Sequence, residues 1–192
     1  MKNKDKVKIY KGDFGYIKAQ KKVEIIRTSV LLALPIALYI MGFLTTGSNK
    51  NLLTFVAVLG SLPFARAFIN LLLFFRAGVC CSEDTYKKIV GNGVECTYYD
   101  LYYTSYKENF KVAALLIKKG CLIVYTESTD VNVEHFENHL KEIMKNCGGE
   151  NYTVKVFTDV DKFIDRAKEL NALTDNSEVN TFIYENLLSV SI

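Results

Sequence analysis

The sequence predicts a membrane α-helical hairpin of two transmembrane helices, followed by a cytoplasmic α/β (α+β) domain running β-β-β-α-β-α-α. Three observations predict it. Two apolar runs, residues 28–46 and 52–75, sit close together early in a chain of 192 residues. Charge is partitioned: residues 1–27 carry nine Lys/Arg against three acids, residues 28–75 contain no Asp or Glu, and residues 77–192 carry twelve Lys/Arg against eighteen acids. Beyond the second run, β-branched and aromatic stretches alternate with helix-periodic ones between glycine turns. Three segments follow: a basic cytoplasmic leader at 1–27, the hairpin at 28–75, and the domain at 77–192.

The runs "TSVLLALPIALYIMGFLTT" and "LLTFVAVLGSLPFARAFINLLLFF" each supply the roughly 20 apolar residues that a bilayer core requires. A long hydrophilic leader without a small-residue cleavage site separates the first run from a cleavable signal peptide. The joining "GSNKN" is short, so the spans are antiparallel. Lys and Arg crowd the leader and recur as Arg76, Lys87 and Lys88 after the second span, whereas the loop holds only Lys50. Both termini are therefore expected in the cytoplasm, in a multi-pass protein of the cell membrane. The leader reads as a topology signal that also rests on anionic headgroups, at about 1 kcal/mol per basic residue. Its segment "KVKIYKGDFGYIKA", with alternating Val7 and Ile9 and a Gly12-Asp13 turn, suggests a strand or hairpin added to the domain. The first helix is then expected to begin near Ile17.

Arg66 interrupts the second span. It lies ten residues before Arg76, about 15 Å along a helix, which is near the middle of a core about 30 Å thick. Inserting it costs about 2.5–3.5 kcal/mol, while the fifteen Leu, Ile, Phe and Val of the same span return about 4–9 kcal/mol. The span survives the charge. Asn70 is one turn on, along the same face. Tyr39, twelve residues above Arg27, is expected at a similar depth, where its ring or hydroxyl could receive the guanidinium. Neither span holds an acid. The partner of Arg66 must then be Tyr39, Asn70, backbone, lipid phosphate, water or another chain, and an intramembrane charge is a functional candidate.

The domain begins with "CSEDTYKKIVGNG", a short helix capped by Ser82 and stopped at Gly91 and Gly93. Residues 94–106 read as a strand or strand pair. Residues 110–119 and 121–128 are two apolar strands around a Lys119-Gly120 hairpin turn. "DVNVEHFENHLKEIMKNCGG" is a helix with Asp130 as cap; its stripe is Val133, Phe136, Leu140, Ile143, Met144 and Cys147. A strand at 152–159 follows, then a helix from Asp159 or Asp161, and a final helix with Phe182, Leu187 and Leu188 inward. A mixed or antiparallel sheet covered by helices results.

Chemistry is sparse. His135 and His139 have the H-x-x-x-H spacing that lets two imidazoles share a metal, but they lie opposite the apolar stripe among Glu134, Glu137 and Glu142, as solvated histidines do. Five scattered cysteines suit a reducing compartment; Cys80 and Cys81, just past the second span, are either acylation candidates or ordinary connector residues. The acidic domain argues against nucleic-acid binding. The glycines at 91–93 and 148–149 fit turns and match no phosphate-binding loop.

Two resemblances add to this reading. The order of helix, three strands, helix and strand over 81–159 resembles the PD-(D/E)xK nuclease core, with Asp100 and Lys118 as the matching residues. That resemblance implies a divalent cation held by strand carboxylates. Position 116, where the second acid belongs, is Leu, so this chain departs from the pattern at the metal site. The segments "GDFGYIKAQKK" and "LPFAR" resemble small, uncharacterised two-span membrane proteins of Gram-positive bacteria, which implies the same topology and no particular activity. The expectation is a membrane-anchored accessory or regulatory protein with no cofactor, with the bilayer and a protein partner or second copy as its contacts. The alternatives are an oligomeric pore, transporter subunit or membrane-perturbing effector using Arg66, and a degenerate nuclease domain tethered to the membrane.

Overall fold

The computed structural model describes residues 9–105, 108–172 and 181–192. Lys2, Lys4, Lys6, Val7 and Lys8 of the leader, Tyr106 of the first strand region, and the lead-in to the last helix at 177–180 lie outside the described residues. The chain forms two compact units. One is Lys18–Gly78; the other joins the described residues up to Ile17 with Val79–Ile192.

The first unit is a helical hairpin. Helix α1 is Tyr16–Thr46 and helix α2 is Leu52–Ala77. Asn51 caps α2, its Oδ1 accepting the Thr54 N–H at 2.7 Å. The buried positions of α1 in this unit, Glu24, Thr28, Pro35 and Gly42, recur every three to four residues or a multiple of that spacing, so they share one face. Small residues sit on the facing stripe of α2, where Ala57 and Ala67 are buried. A Cβ at Gly42 would stand 2.9 Å from Leu53 Cβ, so the missing side chain permits that approach. The outward faces are apolar and open: Leu44 and Leu52 are each 76% exposed.

The second unit contains α3 (Glu83–Gly91), β1 (Tyr98–Thr104), β2 (Asn109–Lys118), β3 (Cys121–Tyr125), α4 (Val133–Asn146), β4 (Thr153–Phe157), α5 (Val160–Ala172) and α6 (Thr181–Val190). The four strands form one mixed sheet in the order β1-β2-β3-β4. β1 and β3 flank β2 antiparallel, and β4 joins β3 in parallel. Helix α4 supplies the crossover that a parallel pair needs. Lys119 and Gly120 take φ of 50° and 68°, the positive pair that a two-residue hairpin turn prefers.

Both faces of the sheet are covered, so β2 and β3 read as nearly continuous apolar runs. Leu101, Val112, Leu115, Leu122 and Val124 pack with Phe136, Leu140 and Met144 of α4 and with Ile183 and Leu187 of α6. Ala114, Leu116 and Ile123 pack with Ile89 of α3 and with Phe163, Ile164 and Ala167 of α5.

Two local features differ from expectation. Asn132, not Asp130, caps α4, its Oδ1 accepting the His135 N–H at 3.1 Å. Asn132 holds the position three residues before that N–H, which Asp130 overshoots. Phe182 points outward at 59% exposed, and Ile183 takes its place inside, because 183 and 187 share a helical face and 182 does not. The expected turn at Gly12-Asp13 is present: Asp13 N–H bonds Tyr10 O at 3.0 Å, and Tyr99 N–H bonds Gly12 O at 2.7 Å, while the expected strand around Val7 lies largely outside the described residues. Gly12 is required there, since its φ is +93° and a Cβ would fall 2.6 Å from Tyr98 Cδ1. The C-terminus docks on β1, with Ile192 N–H on Tyr102 O at 2.9 Å.

Candidate functional site

Several charged and polar residues of the hairpin, Arg27, Arg66 and Asn70 among them, gather at one level. Thr28 Oγ1 donates to Ala67 O at 3.4 Å, which sets α1 residue 28 beside α2 residue 67. Lys21 Nζ lies 3.8 Å from the centre of the Phe75 ring, in keeping with the same register. Arg27 and Arg66 therefore stand within a turn of each other, and both line one groove of about 900 Å³ together with Asn70, Val30, Leu31 and Leu62. Pro63 also borders the groove; inside a helix its ring removes one backbone hydrogen bond and frees a carbonyl.

Sequence reasoning joined Arg66 with Asn70 but missed Arg27 and Glu24. The first helix is expected from near Ile17 and begins at Tyr16, but counting the span only from residue 28 left Glu24 and Arg27 out of the hairpin. Glu24 is only 4% exposed. Its Oε1 lies 3.5 Å from Arg27 Nη1 and accepts from Gln20 Nε2 at 3.5 Å, while its Oε2 is buried without a partner among the described residues. The signal that could have found it is the 24, 28, 31, 35 spacing, which carries the inward face of α1 upstream of its apolar run.

Tyr39 does not belong to this cluster. It is twelve residues beyond Arg27, about 18 Å along the helix, and its hydroxyl donates to Asn49 Oδ1 at 3.1 Å. It borders a separate apolar groove with Pro35, Ile36 and Ala57. Tyr39 would share the depth of Arg66 only if Arg27 were level with Arg76; the Thr28–Ala67 contact sets Arg27 near Phe68 instead.

Asp100 is a buried junction, 3% exposed in the middle of β1. Its φ is 54°, and the register from Tyr98↔Leu115 to Thr104↔Asn109 omits it. Oδ1 accepts the N–H groups of Cys80 and Cys81, both at 3.3 Å, and Oδ2 accepts that of Ile17 at 3.2 Å. The Gly15 N–H also acts on this carboxylate. Burial raises the carboxyl above its usual range, and the N–H groups oppose that rise. The segments that precede and follow the hairpin thus meet on one side chain.

Lys118, the other residue of the nuclease comparison, donates to Asn171 Oδ1 at 3.3 Å. It stands five residues along β2 from Ala113, the residue facing Asp100 by the register of the neighbouring pairs. That is about 17 Å of strand. The two residues are not brought together.

His135 and His139 border a groove of about 290 Å³ with Glu108, Asn138 and Glu142. His135 Nδ1 is 3.8 Å from Glu108 Oε1, and burial lowers the pKa of His139. Among the described residues, no group of three or more His, Cys, Asp or Glu is arranged to hold a metal ion. Cys80 and Cys81 are buried. Burial pushes the Cys81 thiol up to about 12 and Cys80 further in the same direction, which suppresses the thiolate.

Comparison with family models, curated proteins and solved structures finds no match.

Proposed function

We propose that the chain is a membrane-anchored accessory or regulatory protein. Its hairpin crosses the bilayer twice, both termini lie in the cytoplasm, and the α/β unit binds a protein partner there. The observation that carries this reading is the matched, outward apolar surface of the two helices. It runs from Val23 to Leu44 on α1 and from Leu52 to Phe75 on α2, about 32 and 35 Å of helix, against a hydrocarbon core about 30 Å thick. Water would leave these faces as an unfavourable patch; acyl chains would not. Lys18, Lys21, Lys22 and Arg76 flank one end and Lys50 alone flanks the other, so the N- and C-terminal side is cytoplasmic. The acidic balance of residues 77–192 keeps that unit off an anionic membrane surface and free for a cytoplasmic partner.

The test has two parts. Alkaline carbonate should leave the chain in the membrane pellet, and Ser48→Cys should react with an impermeant thiol reagent in intact cells, with the wild-type chain as background. Release by carbonate, or labelling only in inverted vesicles, overturns the anchoring and its orientation. Cross-linking in native membranes should capture a second protein; a strictly solitary chain counts against the accessory role. The nuclease alternative gains no support at Asp100, whose carboxylate oxygens already accept backbone N–H groups.

A further inference from the structure

We propose that the groove between α1 and α2 is a binding site for an anionic phospholipid, whose phosphate is held by Arg27 and Arg66. The site rests on the anchoring proposed above but adds a ligand to it. Two guanidinium groups and the Asn70 side chain border one groove, a donor set suited to phosphate oxygens. No acid is among the bordering residues, and among the described residues no carboxylate lies within ion-pair distance of Arg66. Glu24 approaches Arg27 through one nitrogen at 3.5 Å. A guanidinium carries five N–H donors, so this contact leaves most of the Arg27 donors free.

The walls decide between a lipid and a free anion. Val30, Leu31 and Leu62 form apolar sides, and the groove opens among the exposed helix faces that acyl chains would cover. Its volume of about 900 Å³ is far more than a phosphate fills, with room for a glycerophosphate headgroup and the start of its chains. Arg66 is ten residues from Arg76, about 15 Å along α2. A guanidinium at that depth is costly unless an anion or water reaches it, and a headgroup drawn to this level supplies the anion.

The full chain, purified in a mild detergent, should be examined by native mass spectrometry after addition of phosphatidylglycerol or phosphatidylcholine. Phosphatidylglycerol should be retained with a preference of about tenfold, and Arg66→Gln and Arg27→Gln should each remove most of that preference. Lys50→Gln, in the loop, should not. Unchanged helical circular dichroism in the Gln variants separates lost binding from lost folding. Equal retention of both lipids, full retention by Arg66→Gln, or displacement by millimolar inorganic phosphate overturns the proposal. So does a dimer that Arg66→Gln converts to monomer without altering lipid retention, because the groove would then be an interface between copies. Because retention is measured in detergent, its failure is distinguishable from failure of the anchoring, which carbonate extraction reads.

Discussion

Replacing Asp100 with Asn tests the junction at the centre of the α/β unit. Asn tolerates the left-handed backbone that residue 100 adopts at φ 54°, so the change isolates the acceptor from the strain. An amide can keep its oxygen toward Cys80 and Cys81, but its NH₂ then faces the Ile17 N–H that Oδ2 now accepts at 3.2 Å. Leaving one buried donor unpaired costs about 1–3 kcal/mol, and removing a buried charge returns part of it. A net loss of about 2 kcal/mol should lower the melting temperature of this unit by about 6–10 °C. The pH dependence has a definite sign. Because burial raises the Asp100 carboxyl, the folded state holds its proton to higher pH than the unfolded chain. Its contribution is therefore fully present below the unfolded pKa of about 4 and is lost as pH rises through the folded value. Thermal melts of wild type and Asp100→Asn should diverge as the pH falls from about 7 to 4. Coincident melts at neutral pH, or a gap that narrows with acid, would refute the reasoning.

The inward and outward sides of α6 should separate cleanly. Ile183→Ala should cost about 2–4 kcal/mol in thermal unfolding, whereas Phe182→Ala should stay within about 0.5 kcal/mol. Gly12→Ala meets both the Tyr98 ring and a φ of +93°, so a loss of at least about 1–3 kcal/mol is expected, visible as faster hydrogen exchange at Tyr99 N–H. Thiol labelling of the native protein at neutral pH should reach the half-buried Cys121 before Cys80 and Cys81, whose raised pKa values and burial hold them as thiols. Equal rates without denaturant would contradict the packing around Asp100.

Much of the architecture was legible because it depends on local pattern. Ser82 followed by Glu83 and Asp84 marks the start of α3, Lys119-Gly120 marks the hairpin turn, and the Phe136, Leu140, Ile143, Met144 spacing marks the inward face of α4. What stayed hidden depends on register between distant segments. Nothing local tells whether Arg27 lies near Phe68 or Arg76, so Tyr39 appeared to share the depth of Arg66 and Glu24 appeared to lie in the leader. Asp100 posed the same difficulty. An acid inside "YYDLYY" reads as an edge residue or a ligand, and only the meeting of residues 17, 80, 81 and 100 reveals a carboxylate serving backbone donors. The order of elements suggested a nuclease core, but order alone places no side chain.

The α/β unit is interrupted in its own sequence, and this constrains how it can be made. Ile17 and Asp100 are bonded across 83 positions, with the entire hairpin emerging between them. A ribosome adds about 5–20 residues per second, so the leader waits several seconds for the strand that receives it. The whole hairpin is synthesised during that interval, before the unit can close. Synthesis of the unit is thereby ordered in time: the hairpin is complete before Asp100 can receive Ile17, and Ile192, which docks on Tyr102, arrives last.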